Sequence, residues 1–441
     1  MSTIGRDVHG NGLSGRPIRR TGPTPGLAAL VSAVGMPAPA RFSVPPSARS
    51  IDLAIDQERR DAGSGVAVGT LPTIEASAAP APCEQSIDLA SPDYLSLARH
   101  PAISDAIARS QCLQGSAAED VRAIADACAA GMVERRLGHM LAKPHVATFP
   151  TEWVAGYGAV RAIVQEGDHV LVDAQVRNCL RHAARASTRH VDTFAHHDAD
   201  DLAVRLRRIR SILPKARIVV VTASLCATDS DAPPFAALIA ACQRNGARLM
   251  VDVSHDLGVL GPAGRGLLFE SGVSAEVDYV VGSFSHAFGS VAGFFAVSDP
   301  GPVALARHFA GGAAPTPPFL TRAQVAAIFA AMAIVQSADG DARRASVLRN
   351  ANLLREVITD SGVQVCGRAS PLVIAMCGDD AVARRAHRAC LAAGVLVNLV
   401  VHPAVDAGQA RLRMHVSPAL SRDDLRRAGG VVARAIIDAR D

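Results

Sequence analysis

The sequence predicts an α/β protein whose large domain contains a mostly parallel sheet and is followed by a smaller C-terminal α+β domain. Short apolar runs rich in β-branched residues alternate with amphipathic helical patterns through the middle of the chain. Strands that are apolar throughout are buried on both faces, which is typical of a parallel sheet covered by helices. Beyond residue 320, a long helical pattern leads into a second, shorter α/β pattern.

The individual elements follow from the periodicity of the apolar residues. The predicted strands of the large domain are His169–Asp173, Arg217–Thr222, Leu249–Val253 and Tyr279–Gly282. Helical patterns precede and separate them at Ala102–Ser110, Ala118–Ala129, Asp200–Ile212 and Phe235–Asn245. The C-terminal unit is predicted to contain an amphipathic helical stretch at Thr321–Gly362, a strand at Ser370–Cys377, a helix at Asp380–Ala393 and a strand at Arg411–Val416.

Three regions differ in composition. Residues 1–85 are rich in Gly, Pro, Ser, Ala and Arg without sustained periodicity, which predicts a flexible N-terminal extension with a short docking helix near Leu27–Val34. The large domain is predicted over residues 86–320, and the C-terminal domain over residues 321–441.

Composition restricts the classes of partner. The chain has 441 residues, is 49% hydrophobic and carries a formal net charge of +4, with acidic and basic residues mixed along its length. The sequence has no basic block interleaved with aromatic residues, so we do not expect a nucleic acid partner. The apolar stretch Val325–Val335 is too short to span a bilayer, so no membrane span is predicted.

The cysteines indicate a compartment. Nine of them are scattered singly between Cys83 and Cys390 without a C-x-x-C pair, which argues against a disulfide framework and against a structural zinc site. We therefore expect a reducing, cytoplasmic location. Arg19-Arg20 and the short apolar Pro25–Met36 leave a secretion signal as the alternative.

Candidate functional residues follow the predicted strands, where open parallel sheets bind their ligands. Asp252 and His255 come directly after one strand, and an acid there could hold a cationic ring nitrogen. Ser283 and Ser285 follow another strand between glycines, a pattern that suits phosphate binding. A turn-capping Asp with a hydrogen-bonded His, and an ordinary Ser/Gly loop, are the structural alternatives.

Taken together, two segments resemble the paired signatures of the α-oxoamine synthases, a family that includes serine palmitoyltransferase and 8-amino-7-oxononanoate synthase. DVSHDLGVLGPAGRG at Asp252–Gly266 is similar to D-E-A-H-S-x-G-x-x-G-x-x-G-R-G, and GSFSHAFG at Gly282–Gly289 is similar to G-T-F-S-K-A-x-G. Further similarity runs from about residue 88 to residue 435, including Asp93–Leu97, Phe194–Asp198 and Arg411–Val416.

The resemblance implies a fold-type-I transferase dependent on pyridoxal 5′-phosphate (PLP), which condenses an amino acid with an acyl-CoA or other acyl thioester. By position, Asp252 would pair with the pyridine nitrogen of PLP and His255 with its ring hydroxyl. Ser283 and Ser285 would contact the phosphate, and Arg413 would hold the substrate carboxylate. The remaining predicted cofactor contacts are Arg177, Thr151 and Trp153.

The chain departs from the family pattern at the catalytic position, where His286 replaces the lysine that forms the Schiff base. Imidazole forms no stable imine, but it can move protons near neutral pH. Arg177 aligns best with the histidine that stacks on the cofactor ring, and the nearby His182 is the alternative. The phosphate turn S-G-x-x-A-N becomes Thr151–Gly156, where Glu152 would repel a phosphate.

Three hypotheses remain open. In the first, the protein is an active transferase that holds PLP or pyridoxamine phosphate noncovalently and uses His286 as general acid or base. In the second, it is a noncatalytic partner subunit, like the lysine-less subunit of eukaryotic serine palmitoyltransferase, since fold-type-I sites form at a homodimer or heterodimer interface. In the third, it binds an acyl thioester. No metal site is predicted, because His196-His197-Asp198 resembles a structural family segment.

Overall fold

The computed structural model describes residues 86–114, 123–311 and 320–441. The predicted N-terminal extension, its docking helix Leu27–Val34 and the first residues of the Ala118–Ala129 helix lie outside the described residues.

The centre of the large domain is a seven-stranded sheet in the order β2-β8-β7-β6-β5-β3-β4. Its strands are β2 (His145–Phe149), β3 (His169–Asp173), β4 (Val191–Phe194), β5 (Ile218–Ala223), β6 (Arg248–Asp252), β7 (Tyr279–Ser283) and β8 (Gly293–Val297). β8 pairs antiparallel with both of its neighbours, and the other pairings are parallel. The α/β fold class is thus confirmed, with the four predicted strands at the middle of the sheet.

Three strands of this sheet were not predicted from the sequence. β4 is short and half-exposed, so it lacks the continuous apolar run on which the prediction relied. β2 lies at the edge of the sheet, and β8 follows a Ser/Gly-rich turn that masks its pattern. Edge and turn-bounded strands give weak periodic signals because few residues distinguish them from loops.

Alternate residues of the central strands pack on opposite faces of the sheet. Val219 and Val221 of β5 belong to one apolar cluster, whereas Val220 belongs to the other. Helices cover both faces: α1 (Pro101–Gln114), α2 (Ala123–Leu141), α3 (Glu152–Ile163), α4 (Asn178–Ser187), α5 (Ala199–Ile212), α6 (Phe235–Arg244), α7 (Leu267–Glu270) and α8 (Gly301–Gly311). Burial on both faces explains why these strands are apolar throughout.

The predicted helical stretch Thr321–Gly362 forms two helices, α9 (Arg322–Val335) and α10 (Ala338–Asp360). Thr321 and Gln324 form a capping box at the start of α9, and Ser337 caps α10. A cap residue satisfies backbone N–H groups only where a helix begins, so Ser337 marks the break between the two helices.

The C-terminal part contains a four-stranded antiparallel sheet in the order β12-β13-β10-β9. The strands of this sheet are β9 (Val365–Cys366), β10 (Leu372–Gly378), β12 (Asn398–Val400) and β13 (Ala410–His415). The same part of the chain also contains the helices α11 (Asp380–Ala392) and α12 (Arg422–Asp438) and the short strand β11 (Val395–Leu396). β1 (Ile87–Asp88) pairs with β11, so the first described residues join the C-terminal part. The boundary at residues 320 and 321 stays a prediction.

Among the described residues, no single helix is both long and apolar enough to cross a membrane. By length and composition alone, α9 and α10 meet the criterion when they are taken together, across a bend of 78°.

Candidate active site at the carboxyl ends of the strands

The candidate active site lies at the carboxyl-terminal edge of the large sheet. Asp252 is the last residue of β6 and Ser283 the last of the neighbouring β7, so the two side chains leave the sheet side by side. α3 brings Glu152 to the same edge, and Thr151 caps that helix by accepting a hydrogen bond from the backbone N–H of Val154 at 3.2 Å. Parallel topology therefore gathers residues that are more than 100 positions apart.

Gly293, the first residue of β8, lets the start of α3 dock directly on the sheet. A Cβ at this position would lie 2.6 Å from Glu152 Cα and 2.8 Å from the carbonyl oxygen of Thr151. Because any side chain would displace the helix, the glycine sets how far Glu152 reaches into the site.

Arg177 occupies the middle of the site and bridges two carboxylates. Its Nη1 lies 2.9 Å from Glu152 Oε2, and its Nε lies 3.1 Å from Asp252 Oδ2. The other oxygen of Asp252 accepts a hydrogen bond from the backbone N–H of Ser254 at 2.9 Å. Both oxygens of Asp252 are thus engaged by residues of this chain.

The electrostatics of this bridge favour its charged form. Burial alone would raise the pKa of Glu152, but the Arg177 guanidinium and a hydrogen bond from Ser283 outweigh it and hold that pKa below its ordinary value. The two carboxylates in turn outweigh the effect of burial on Arg177 and raise its pKa. The Glu152–Arg177 pair is therefore ionic at neutral pH.

Ser283, one of the two predicted phosphate-contacting serines, lies beside Glu152. Ser283 is buried, and its hydroxyl accepts a hydrogen bond from the backbone N–H of Ser285 at 2.9 Å. The same hydroxyl donates to the carbonyl oxygen of Ala292 at 3.4 Å, and it helps to lower the pKa of the Glu152 carboxylate. A side-chain carboxylate thus lies beside the serine that the resemblance assigns to a phosphate.

His286 is buried beside two other rings of the site. Its ring centroid lies 4.2 Å from that of His255, almost edge-on, and 5.7 Å from that of Tyr94. Burial and then the Arg177 charge lower the pKa of His286 well below its ordinary value, and Nδ1 has no hydrogen-bond partner. A lowered pKa favours the neutral imidazole at pH 7, and the role of His286 as a general acid or base stays a prediction.

Two site residues were missed as candidates from the sequence. The Tyr94 hydroxyl is 2.8 Å from His255 Nδ1. His415 Nδ1 lies 2.8 Å from the carbonyl oxygen of Ala90. The available signal for His415 was its spacing, since it stands two residues after Arg413 on β13 and residues i and i+2 share a face of a strand.

Arg413 reaches the same pocket from the C-terminal sheet. Its Nη1 lies 3.4 Å from the carbonyl oxygen of Ala227, while its Nε is buried without a partner. His286 Nδ1 and His415 Nε2 are also buried without partners. Three nitrogens of one pocket are thus free to contact a polar ligand, which is consistent with the predicted carboxylate-binding role of Arg413.

Trp153 lies at the rim of the site. Its side chain is 50% exposed and its ring centroid lies 6.0 Å from that of the exposed His182. The structure thus brings together Asp252, His255, Ser283, His286, Arg177 and Arg413, with Thr151 as a helix cap and Ser285 as a backbone donor. Their assigned roles toward a cofactor stay predictions.

The fold and this arrangement agree with known proteins. A family profile described as aminotransferase class I and II matches residues 87–431. The chain is 31% identical to 8-amino-7-oxononanoate synthase from Mycolicibacterium vanbaalenii over 386 residues, which cover 87% of this chain and 96% of the relative. It is also 31% identical to serine palmitoyltransferase from Caulobacter vibrioides, over 65% of this chain and 70% of the relative.

A solved structure shows the same fold. It is a serine palmitoyltransferase variant from S. paucimobilis with a bound PLP–myriocin aldimine. Its TM-score to this chain is 0.73 and its sequence identity is 23%, and the match covers 80% of this chain and 88% of the other chain. The chain therefore belongs to the aminotransferase class I and II family and, within it, to the α-oxoamine synthases. It is accordingly an α-oxoamine-synthase-like acyltransferase homologue.

The residues of this site do not fit PLP as they stand. The acid that would pair with the pyridine nitrogen, Asp252, is already paired with Arg177. The hydroxyl that would contact phosphate, on Ser283, lies beside Glu152, whose carboxylate would repel the phosphate. No step of chemistry is therefore assigned to the cofactor in this chain.

The Arg177 bridge predicts a stability effect. Arg177→Met leaves two neighbouring carboxylates, one of them buried, without a counterion, and we expect it to lower the free energy of unfolding by about 3 kcal/mol. The measurement is urea unfolding at pH 7. Arg185→Met, which alters an exposed arginine of the same helix α4, is the control. Equal losses in the two variants would show that the bridge is not stabilising.

His415 predicts a dependence of stability on pH. Burial, followed by the Arg413 charge, lowers its pKa to about 4, whereas the unfolded ring titrates near pH 6.5. As the pH falls from 7 to 5, the His415 ring takes up a proton in the unfolded state but stays unprotonated in the folded state. The free energy of unfolding therefore decreases over this range.

Between pH 7 and pH 5, we expect the free energy of unfolding of wild type to fall by about 2 kcal/mol more than that of His415→Gln. Urea unfolding at both pH values measures this difference. His182→Gln, which alters an exposed histidine, serves as control and should retain the pH dependence of wild type. A His415→Gln profile parallel to that of wild type would contradict the assignment.

Proposed function

We propose that this chain performs no PLP chemistry in its own pocket and acts as the partner subunit of a lysine-bearing α-oxoamine synthase in the cytoplasm. The observation that carries this proposal is the Arg177 guanidinium held between Asp252 and Glu152. The amino acid and the acyl thioester would then be substrates of the lysine-bearing partner. The seven cysteines whose side chains the structure describes are free thiols, which supports a reducing compartment.

The first support is the cation already at Asp252. A pyridinium ring could pair with this carboxylate only by displacing Arg177, whose guanidinium would then lose one of its two counterions inside the site. Removing one member of a buried ion pair typically costs about 3–5 kcal/mol. The internal guanidinium therefore competes with the cofactor ring for the same carboxylate.

The second support is the anion at the predicted phosphate site. Glu152 is held in its charged form by Arg177, whose Nη1 lies 2.9 Å from its carboxylate. Two like charges 4 Å apart repel each other by about 4 kcal/mol at an effective dielectric constant of 20, and a phosphate brings more than one negative charge. The Glu152 carboxylate would thus repel the cofactor phosphate at the turn where the family pattern has no acidic residue.

The third support concerns His286. It offers no amine for a covalent bond to the cofactor, and its lowered pKa keeps the imidazole neutral and weakly basic at neutral pH. A general base works best when its pKa lies near the operating pH. This weakens the hypothesis of an active transferase with a noncovalently held cofactor.

A candidate partner surface lies at the mouth of the site. The Gln324 amide donates to the carbonyl oxygens of Pro150, at 2.9 Å, and Val291, at 2.6 Å, which holds the start of α3 beside the β7–β8 turn. Trp153 and Val291, in these two segments, are 50% and 62% exposed. Exposed aromatic and aliphatic side chains at adjoining positions are typical of binding surfaces.

The cofactor part of the proposal is tested by spectroscopy. Wild type mixed with PLP and passed through a desalting column should retain no visible absorbance and show no rise in melting temperature. His286→Lys alone should behave in the same way, because Arg177 and Glu152 still block the pocket.

The triple variant Arg177→His, Glu152→Gly, His286→Lys should retain the cofactor, with visible absorbance that borohydride removes. Stoichiometric retention of PLP by wild type or by His286→Lys alone would contradict the proposal.

The partner part is tested by co-expression with a lysine-bearing α-oxoamine synthase. We expect a heterodimer by size-exclusion chromatography with light scattering. Trp153→Asp should weaken it at least about 10-fold, since buried aromatic anchors dominate interface energies. Val204→Asp, at an α5 position that is 54% exposed, is the control and should leave assembly unchanged. Formation of self-dimers alone would refute the partner role.

A further inference from the structure

A cavity of about 690 Å³ opens where α3 and α4 end, beside α8. The segments that follow the two helices lead into β3 and β4, so the cavity lies at the edge of the large sheet opposite the candidate active site. Its volume is within the range of about 300–1,000 Å³ that small-molecule pockets occupy. The charged and large apolar side chains that line it are Arg161, Glu166, Arg185, Arg189, Leu305 and Phe309.

α8 forms an apolar wall of this cavity. Leu305 and Phe309 are four residues apart, so their side chains share one face of the helix. Leu305 is 46% exposed, and Phe309 is only partly buried. The guanidinium of Arg161 lies over the Phe309 ring, with Cζ 5.2 Å from the ring centroid. An aromatic ring that solvent can reach offers a stacking surface to a flat ligand group.

The end of α4 forms a positively charged wall. Three arginines and one glutamate line the cavity, so basic residues exceed acidic ones by two. Arg185 and Arg189 are exposed, and within the part of the chain that the structure describes neither guanidinium pairs with a carboxylate or a carbonyl oxygen. Burial, followed by the charge of Arg185, lowers the pKa of the neighbouring Arg181. A bound anion would offset this excess of positive charge.

Helix capping accounts for only part of this set. Basic side chains near a helix C-terminus interact favourably with its last carbonyl groups and with its dipole. Arg161 does so, because its Nη1 donates to the carbonyl oxygen of Ala186 at 2.7 Å. Arg185 stands in the last turn of α4, whereas Arg189 follows the end of the helix, and neither bonds a carbonyl oxygen of the described residues. The donors of these two guanidiniums are therefore available to a ligand.

We propose that this cavity binds a nucleoside polyphosphate, with Arg185 and Arg189 contacting the phosphates and Phe309 stacking on the base. The planar fork of a guanidinium matches the oxygens of a phosphate and binds them bidentately. The ligand class follows from the two walls, because a ligand that uses both combines a polyanionic group with a flat ring. An isolated phosphate uses only the charged wall, and an uncharged nucleoside uses only the apolar one.

α3 and α4 connect the cavity to the candidate active site. α3 begins at Glu152 and α4 begins directly after Arg177, and both helices end at the cavity. Since a helix of 12 residues is about 18 Å long, a ligand in the cavity does not reach the Glu152–Arg177 pair. It would instead join the far ends of the two helices and stabilise their packing, so bound ligand should raise the melting temperature of the protein.

The test is isothermal titration calorimetry of the full-length protein with ADP, pyrophosphate and adenosine at low ionic strength. We expect one ADP per chain with a Kd of about 0.1 mM, since solvent and salt screen exposed arginines. Pyrophosphate should bind about 10-fold more weakly, because it lacks the base that stacks on the ring. Adenosine, which lacks the phosphates, should bind at least about 10-fold more weakly than ADP.

Substitutions separate the two walls. The double variant Arg185→Ala, Arg189→Ala should weaken the binding of ADP and of pyrophosphate at least about 10-fold. Phe309→Leu should weaken the binding of ADP about 10-fold and leave that of pyrophosphate unchanged. The matched control is the double variant Arg384→Ala, Arg388→Ala, which removes two exposed arginines of α11 and should leave ADP binding unchanged.

Circular dichroism and melting temperature without ligand show whether each variant is folded. If Phe309→Leu is unfolded, the comparison of ADP with pyrophosphate in wild type tests the contact with the base. Absence of binding by wild type at about 5 mM ADP, or equal losses in the two arginine double variants, overturns the proposal. Equal affinities of wild type for ADP and pyrophosphate overturn the assignment of a nucleotide. None of these results depends on whether the chain pairs with a lysine-bearing homologue.

Discussion

The ion bridge from Glu152 through Arg177 to Asp252 is the constraint on which the character of the candidate active site depends. A guanidinium presents several N–H donors in one plane, so a single side chain can engage two carboxylates that come from different elements. Here those carboxylates stand at the start of α3 and at the end of β6. Once they are joined, the acid and the serine that would hold a cofactor are no longer free, and His286 is enclosed beside a fixed positive charge.

The two clusters at this sheet edge balance their charges in opposite ways. In the first, the cation is a permanent one, Arg177, because a guanidinium does not lose its proton at any ordinary pH. In the second, formed by Asp173, His196 and Asp231, the balance rests partly on the proton that the two carboxylates hold on His196. The same parallel topology therefore gathers charged side chains at two points of one sheet edge.

The sequence predicted the middle of the sheet and much of the candidate site, for a shared physical reason. Strands such as His169–Asp173 are buried on both faces and read as continuous apolar runs, and the residues that follow them must meet at one edge. β4 escaped prediction because it is half-exposed. The Arg177–Asp252 pairing could not be predicted, since it depends on the direction of a side chain at the start of α4. The place of His415 in the site could not be predicted either, because it depends on how the C-terminal sheet packs against the large domain, and local sequence patterns do not encode that packing.

Gly293 limits how the candidate site can be changed by substitution. The backbone of β8 holds the start of α3 in place, with no room for a side chain between them. The spacing between α3 and the sheet is therefore fixed by backbone contact, and it does not depend on the identity of the side chain at position 152. A redesign of this pocket can exchange the charged groups that α3 displays, but it has to keep the glycine beneath them.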